Sequence, residues 1–376
     1  MNMVEWKKLG EAEDIGLLTL GRGQVISKKD MNDCPGNYPV YSSSSQGNGE
    51  IGRYGRYMFD DERITWSIDG GGRLFYRNNQ KYSVTNVCGW LKVNKPEVLN
   101  TRFLYFSLYN QWSNISFNYN HKAHPSVIRN EYFVPLPSLL EQQRIVSILD
   151  TFTSSISNLK QQIEERRKQY EYERDRLLDL EGKEGVEMKK LGEVGEFIRG
   201  NGIQKNDFVE EGYGCIHYGQ IHARYGFSAK ETISKIEESL YKKCKKAKTG
   251  DVILATTSED AEGVAKPFVW LGEYEVAVSG DAFIYHHNQI GKFMGYQFLT
   301  RKFMQFKVKY ATGAKVVRIS GENMAKFEIA LPSLSEQSRI VSILDTFEQS
   351  IANLEEQLAL REKQYEYYRN QLLTFE

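Results

Sequence analysis

One segment of this chain is written twice, and both copies carry an apolar spacing that alternates four and three for about four heptads. The first copy, LPSLLEQQRIVSILDTFTSSISNLKQQIEERRKQYEYERDRLLDLE, spans residues 136–181, and the second, LPSLSEQSRIVSILDTFEQSIANLEEQLALREKQYEYYRNQLLTFE, spans 331–376. They align without a gap at a constant offset of 195, with about two-thirds of positions identical. A repeat of this length means one structural unit used twice. A shorter repeat marks where each unit begins: EWKKLGE at 5–11 returns as EMKKLGE at 187–193. The plan is therefore globular head 1–135, helical region 136–181, globular head 182–330 and helical region 331–376.

Each long segment opens with a Pro and then Ser138-x-x-Glu141 or Ser333-x-x-Glu336, the pattern of a capping box. After Ile145 and Leu149, the first seam runs Phe152, Ile156, Leu159, Ile163, Arg166 and Tyr170. After Ile340 and Leu344, the second runs Phe347, Ile351, Leu354, Leu358, Arg361 and Tyr365. No Pro or Gly interrupts the first run before Gly182. The two helices are each other's obvious partner, and an antiparallel coiled coil would set the heads at opposite ends. At ~1.5 Å per residue such a rod spans roughly 55–60 Å. Arg166 and Arg361 hold matching seam positions; an Arg there either fixes register or lays its stem over the seam, and the sequence leaves both open.

Hydrophobic residues make up 40% and aromatics 12%, enough for globular cores, so disorder is not expected. No apolar run approaches the ~20 residues of a membrane span, and the first residues lack the apolar core of a signal peptide. Cys34, Cys88, Cys215 and Cys244 are scattered and read as free thiols of a cytoplasmic protein. The His121/His124 and His286/His287 pairs have no third ligand nearby, so no metal is expected. Net charge is zero but unevenly placed. Residues 1–135 hold 16 Lys and Arg against 13 Asp and Glu, and 182–330 hold 22 against 19; the repeats hold 7 against 9 and 4 against 8. Positive heads on a negative rod would favour phosphate contact by the heads.

The heads do not align convincingly, yet both read as α+β. Strand-like runs fall at 38–42, 63–68, 72–76, 82–87 and 90–93 in the first, followed by a helix near 101–112. In the second they fall at 215–219, 251–255, 265–271 and 275–285, with a helix near 294–310. Candidate base and phosphate contacts lie in the loops, where Ser, Gln, Asn, Arg and Tyr side chains can bond base edges. In head 1 these are Ser43, Ser44, Ser45, Gln46, Asn48, Arg53 and Tyr54, with Arg73 after a triple-glycine turn and Lys81 beyond it. The triple glycine reads equally well as a plain hairpin turn. In head 2 the candidates are Tyr218, Gln220, His222, Arg224, Thr257, Ser258, Lys315 and Arg318. The lysine run 242–248 reads first as a solvated turn. No Walker loop, HExxH, GxSxG or NPPY-type motif occurs, so a catalytic role is not expected.

Two divergent heads alternating with two near-identical "LPSLxEQxRIVSILD…KQYEYxR" helices resemble, over essentially the whole chain, the specificity subunit (HsdS) of type I restriction–modification systems. The resemblance implies two target recognition domains that each read half of a bipartite DNA site. It also implies an antiparallel helix pair that docks two copies of the methyltransferase subunit, with restriction subunits joining them. S-adenosylmethionine, ATP and Mg would belong to those partners, and this chain would hold no cofactor. A type IIB-like specificity subunit would share this layout, and a coiled-coil scaffold without DNA affinity stays open as a further alternative.

Overall fold

The computed structural model describes residues 4–44, 47–118, 120–313 and 316–375. It falls into two compact units, residues 1–160 with 356–376, and residues 161–355. The heptad runs form two helices of 40 residues each, Leu139–Leu178 and Leu334–Leu373. Only half of the expected capping box forms. Ser138 and Ser333 Oγ accept the N–H groups of Glu141 and Glu336 at 3.3 Å. The two carboxylates turn instead to Arg144 and Arg339, 2.6 and 2.7 Å away, because a bidentate charged partner one turn on is the stronger ligand.

Head 1 carries an antiparallel sheet in the order Leu18–Arg22, Cys88–Val93, Arg63–Ser67, Leu74–Arg77. A second sheet sets Tyr38–Tyr41 between Glu50–Tyr54, antiparallel, and Ser83–Val84, parallel. Head 2 repeats this order with additions. Its first sheet runs Gly195–Arg199, Ala282–His287, Val252–Ala255, Lys266–Trp270, then the short parallel edge Ser228–Ala229. In its second sheet Tyr213–Ile216 again lies between an antiparallel neighbour, Ser234–Ile236, and a parallel one, Val276–Val278. The two heads therefore share a topology that their sequences no longer show.

Four expectations for individual elements are corrected, the first being the run 275–285, which divides into Val276–Val278 and Ala282–His287 in different sheets. The stretch holding Arg53 and Tyr54 is not a loop but the strand Glu50–Tyr54. The run 215–219 stops early, because the His217 ring accepts the Gly219 N–H (3.1 Å) and starts a helix, Tyr218–Ala223. The helix of head 2 breaks into Gly291–Gln297 and Arg301–Tyr310, with Thr300 capping the second piece through the Phe303 N–H at 3.1 Å.

The repeated pieces meet at the neck of each head. Glu5–Lys8 pairs antiparallel with Phe133–Leu136, the strand that leads into the first long helix. Glu187–Lys190 pairs with Glu328–Leu331 in the same register. The Gln of "LPSLxEQ" then locks helix to head. Gln142, 0% exposed, donates to Val98 O and Pro137 O at 2.9 Å and accepts the Asn100 N–H at 2.8 Å. Gln337, also 0% exposed, donates to Pro332 O and Gln289 Oε1 at 2.9 Å and accepts the Ile290 N–H at 3.2 Å. Ile145 and Leu149 join the core of head 1, as Ile340 and Leu344 join that of head 2. Burying each such side chain contributes about 2 kcal/mol. The Asp of "SILD" completes the joint. Asp150 accepts Arg102 at 2.5 and 2.8 Å, and Asp345 accepts Lys292 and the Tyr296 hydroxyl at 2.9 Å.

Among the described residues no group of His, Cys, Asp and Glu could hold a metal ion, and no helix is long and apolar enough to cross a membrane. His286 Nδ1 instead sits 2.8 Å from buried Asp251, and His121 stacks on Phe117 at 5.4 Å. Burial pushes the Cys88 and Cys215 thiols up to about 12, which leaves them unreactive.

Candidate nucleic-acid interface

In head 1 the candidates divide between the two ends of the strand Glu50–Tyr54. At one end Ser43 lies against the glycine turn that Arg73 follows, and Ser44 and Asn48 belong to the same loop as Ser43. Ser43 Oγ accepts the Asp69 N–H at 2.7 Å, and Asn48 O accepts Arg77 Nη2 at 2.6 Å. The turn is a hairpin joining Arg63–Ser67 to Leu74–Arg77, with Gly71 and Gly72 at φ of +81° and +74°. A Cβ on Gly70 would lie 2.1 Å from Ser43 O, so the glycine also admits the serine loop. Arg73 lies over Phe75 at 5.2 Å. At the other end Arg53 donates to Asn37 O at 3.0 Å and pairs with Glu50, while Tyr54 lies opposite Tyr38 in the sheet. Lys81, over Tyr57 at 4.7 Å, belongs to this second cluster; its hydrogen bond to the Tyr57 hydroxyl holds its pKa above the usual lysine value. Ser45 and Gln46 lie outside the described residues.

Sequence reasoning missed the residue that organises the first cluster. Arg77 is buried over Tyr41 at 3.5 Å, and donates to Thr65 as well as to Asn48 O. Its signal, an Arg at an inward-facing strand position, is indistinguishable in sequence from a solvent-facing one.

In head 2 a short ladder pairs Thr257 with Arg318 and Ser258 with Val317. His222 Nε2 lies 3.0 Å from Thr257 O, and Lys266 Nζ donates to His222 O at 3.2 Å. The structure thus brings His222, Thr257, Ser258 and Arg318 together. Arg224 is exposed just after that helix, and Lys315 lies outside the described residues. Gln220 is placed elsewhere: it is buried, donating to Ser234 Oγ at 2.6 Å and accepting the His217 N–H at 3.3 Å, so its amide is not presented to solvent. Tyr218 lines a separate cleft of about 410 Å³ with Arg199, Gln204 and Asp281. Beside the ladder, Lys307 Nζ donates to the carbonyls of Glu262 and Val264 at 2.6 and 2.8 Å, and burial lowers its pKa to about 8. It pins the loop that carries Glu259, Asp260 and Glu262, acceptors suited to the amino group of cytosine. In the lysine run, Lys242 pairs with Glu238 at 2.8 Å and Lys246 lies over Tyr241 at 4.8 Å, as a surface turn requires.

The helix pair appears in each unit. In the first, Phe152 stacks on Tyr368 at 5.3 Å, and Lys160 pairs with Glu362 at 2.8 Å. In the second, Arg167 pairs with Glu355 at 2.5 Å and the Tyr170 hydroxyl donates to Glu348 at 3.2 Å. Rising numbers on one helix meet falling numbers on the other, so the pairing is antiparallel. Ile163 is buried, while Ile156, Leu159, Ile351, Leu354, Leu358 and Tyr365 are half-buried, as a two-helix seam leaves them. The question of the seam arginines resolves in the same way twice. Arg361 lies over the Phe152 ring at 5.6 Å and Arg166 over the Phe347 ring at 5.9 Å, each a cation–π contact to the opposite helix.

A family model, the type I restriction modification DNA specificity domain, matches residues 3–166 and again 183–361. The chain belongs to this family. A putative type I specificity subunit of Mycoplasma pneumoniae is 28% identical over 365 residues, covering 94% of each chain. One of Haemophilus influenzae is 29% identical, covering 99% of this chain and 96% of its own. The EcoR124I/EcoR124II specificity subunit of Escherichia coli is 32% identical over 248 residues, 64% of this chain and 61% of that one. In fold the chain is similar to the type I S subunit of M. genitalium, with a TM-score of 0.62 at 15% identity over 100% of this chain and 97% of that one. It is also similar to a chain solved in work on type I complex assembly and conformational transition, with a TM-score of 0.58 at 16% identity over 99% and 98%. The three curated relatives are named as type I specificity subunits, two of them putative, so the type IIB-like reading gains no support.

Proposed function

We propose that this member of the type I specificity family reads a bipartite DNA target, one half with each head, and recruits its catalytic partners through the repeated helices. The division into heads and helical regions at 135, 181 and 330 is part of this reading. What carries it is the contrast between neck and loop: the lock of Gln142 and Gln337, the paired strands and the seam are kept twice, while the loops on one shared topology differ. Two equivalent helix surfaces suit two copies of one methyltransferase subunit, with restriction subunits bound through them. S-adenosylmethionine, ATP and Mg sit in those partners, and the complex works in the cytoplasm on double-stranded DNA. Phosphate contacts come from Arg53, Lys81, Arg224 and Arg318, base contacts from Ser43, Ser44, Asn48, Arg73, Tyr218, His222, Thr257 and Ser258. The 40-residue helices, about 60 Å long at ~1.5 Å per residue, set the unread gap. Methylome sequencing of cells carrying this gene with its methyltransferase tests the reading. One asymmetric motif with two specified halves and a fixed gap is expected; a single contiguous motif, or no new methylation, contradicts it.

A further inference from the structure

The two necks share a strand pair but differ at its outer edge. In head 1 the Leu9 N–H donates to Tyr132 O at 2.8 Å, which sets the alternation of the ladder and turns the N–H and C=O of Phe133 outward. The Gln111 side chain closes both, accepting the N–H at 2.8 Å and donating to the carbonyl at 2.7 Å. The next outward position is Pro135, which has no N–H. This edge is shut, as solvent-facing edges generally must be.

In head 2 the same bond, Leu191 N–H to Phe327 O at 2.9 Å, turns the N–H and C=O of Glu328 and Ala330 outward. No described residue bonds to any of these four groups. Ala330 takes the place of the proline and is 6% exposed. The edge lines a cleft of about 450 Å³ whose far wall includes Tyr172, Leu178 and Leu180. Gln297 lines it too, 4% exposed, and its Nε2 has no partner. A sheltered donor left unmade costs about 1–3 kcal/mol.

We propose that this edge accepts one extended polypeptide segment of the methyltransferase partner as a third strand, which rests on the reading above that such a partner docks on the helices. Outward groups two residues apart repeat at about 6.6 Å, the spacing of main-chain groups along a strand. A wall of the cleft is the end of the helix Leu139–Leu178, so the site continues the surface already assigned to that partner. The counterpart in head 1 is shut, so only one of the two partner copies engages in this way. The near-identical helices thus acquire a built-in asymmetry.

Hydrogen exchange on the full chain, alone and assembled with its methyltransferase, tests the proposal. The Glu328 and Ala330 amides should slow at least tenfold on assembly, while the Phe133 amide stays slow in both states. Ala330→Pro, which copies Pro135, should weaken assembly by roughly tenfold, the loss of about one hydrogen bond. Assembly with unchanged exchange at 328 and 330 and unchanged affinity of the variant overturns the inference and leaves the docking reading standing. Failure to assemble at all contradicts both. Protection of these amides by self-association of the chain without partner would also overturn it.

Discussion

Head 1 and head 2 run through the same order of strands and are fixed to their helices by the same chemistry, yet few of their surface groups correspond. At the joint, Gln142 and Gln337 do one job, as do Ile145 and Ile340, and Asp150 and Asp345. Away from it, head 1 places Arg77 among aromatic rings and sets Ser43 against a glycine hairpin, where head 2 builds a short ladder and a lysine-pinned acidic loop. Positions that hold the head on the helix are constrained by packing, and positions that face outward are not. A chain that must keep its partners while changing what it reads needs that separation.

The strongest way to break the comparison is at the joint. Ile145→Ala and Ile340→Ala should each cost about 2–4 kcal/mol, since each empties a fully buried site. Gln142→Ala should cost about 2 kcal/mol by stranding the Val98 carbonyl and the Asn100 N–H. Hydrogen exchange resolved by head reads both, and the loss should fall on the head that owns the mutated neck. A cost of similar size in both heads would mean that the joints are not separate.

Acid should tell the heads apart. In the sheet register His287 lies opposite Gly195 where head 1 has Val93 opposite Leu18. Burial lowers the His287 pKa to about 4, so the unfolded chain binds this proton first. Stability of head 2 is therefore full above pH ~6.5 and declines as pH falls towards 4, by on the order of 3 kcal/mol. His287→Leu should flatten that decline in denaturant titrations at successive pH values, whereas an unchanged slope would assign the loss to other groups.

A smaller effect sharpens the comparison of the seam. Arg361→Met and Arg166→Met remove equivalent cation–π contacts and should each cost about 0.5–1 kcal/mol, equal within error. Unequal costs measured by thermal unfolding would show that the two seams are packed differently despite their shared sequence.

The long helices were legible almost to the turn, because an apolar period sustained for four heptads has few other solutions. The elements of the head cores were legible as well: the helix Thr101–Trp112 and the strands Arg63–Ser67 and Val252–Ala255 fall where composition sets them. Short edge strands such as Leu18–Arg22 and Gly195–Arg199 were not, since only one or two of their side chains face the core. Nor was the neck. Glu5–Lys8 is polar and mostly exposed, and only its distant partner Phe133–Leu136 makes it a strand. The two short repeats stood beside the two long ones, however, and that adjacency was the available clue. For the candidate site, residue type found the neighbourhoods but not the orientations: His222, Thr257 and Arg318 converge, while Gln220 turns inward to cap its own helix.

The central claim is that the framework is fixed and each head reads alone. Replacing residues 12–135 with the corresponding head of another family member, followed by methylome sequencing, tests it most directly. The account predicts a target with one half changed, the other half intact and the gap preserved. A swap that folds and assembles but alters both halves would contradict it.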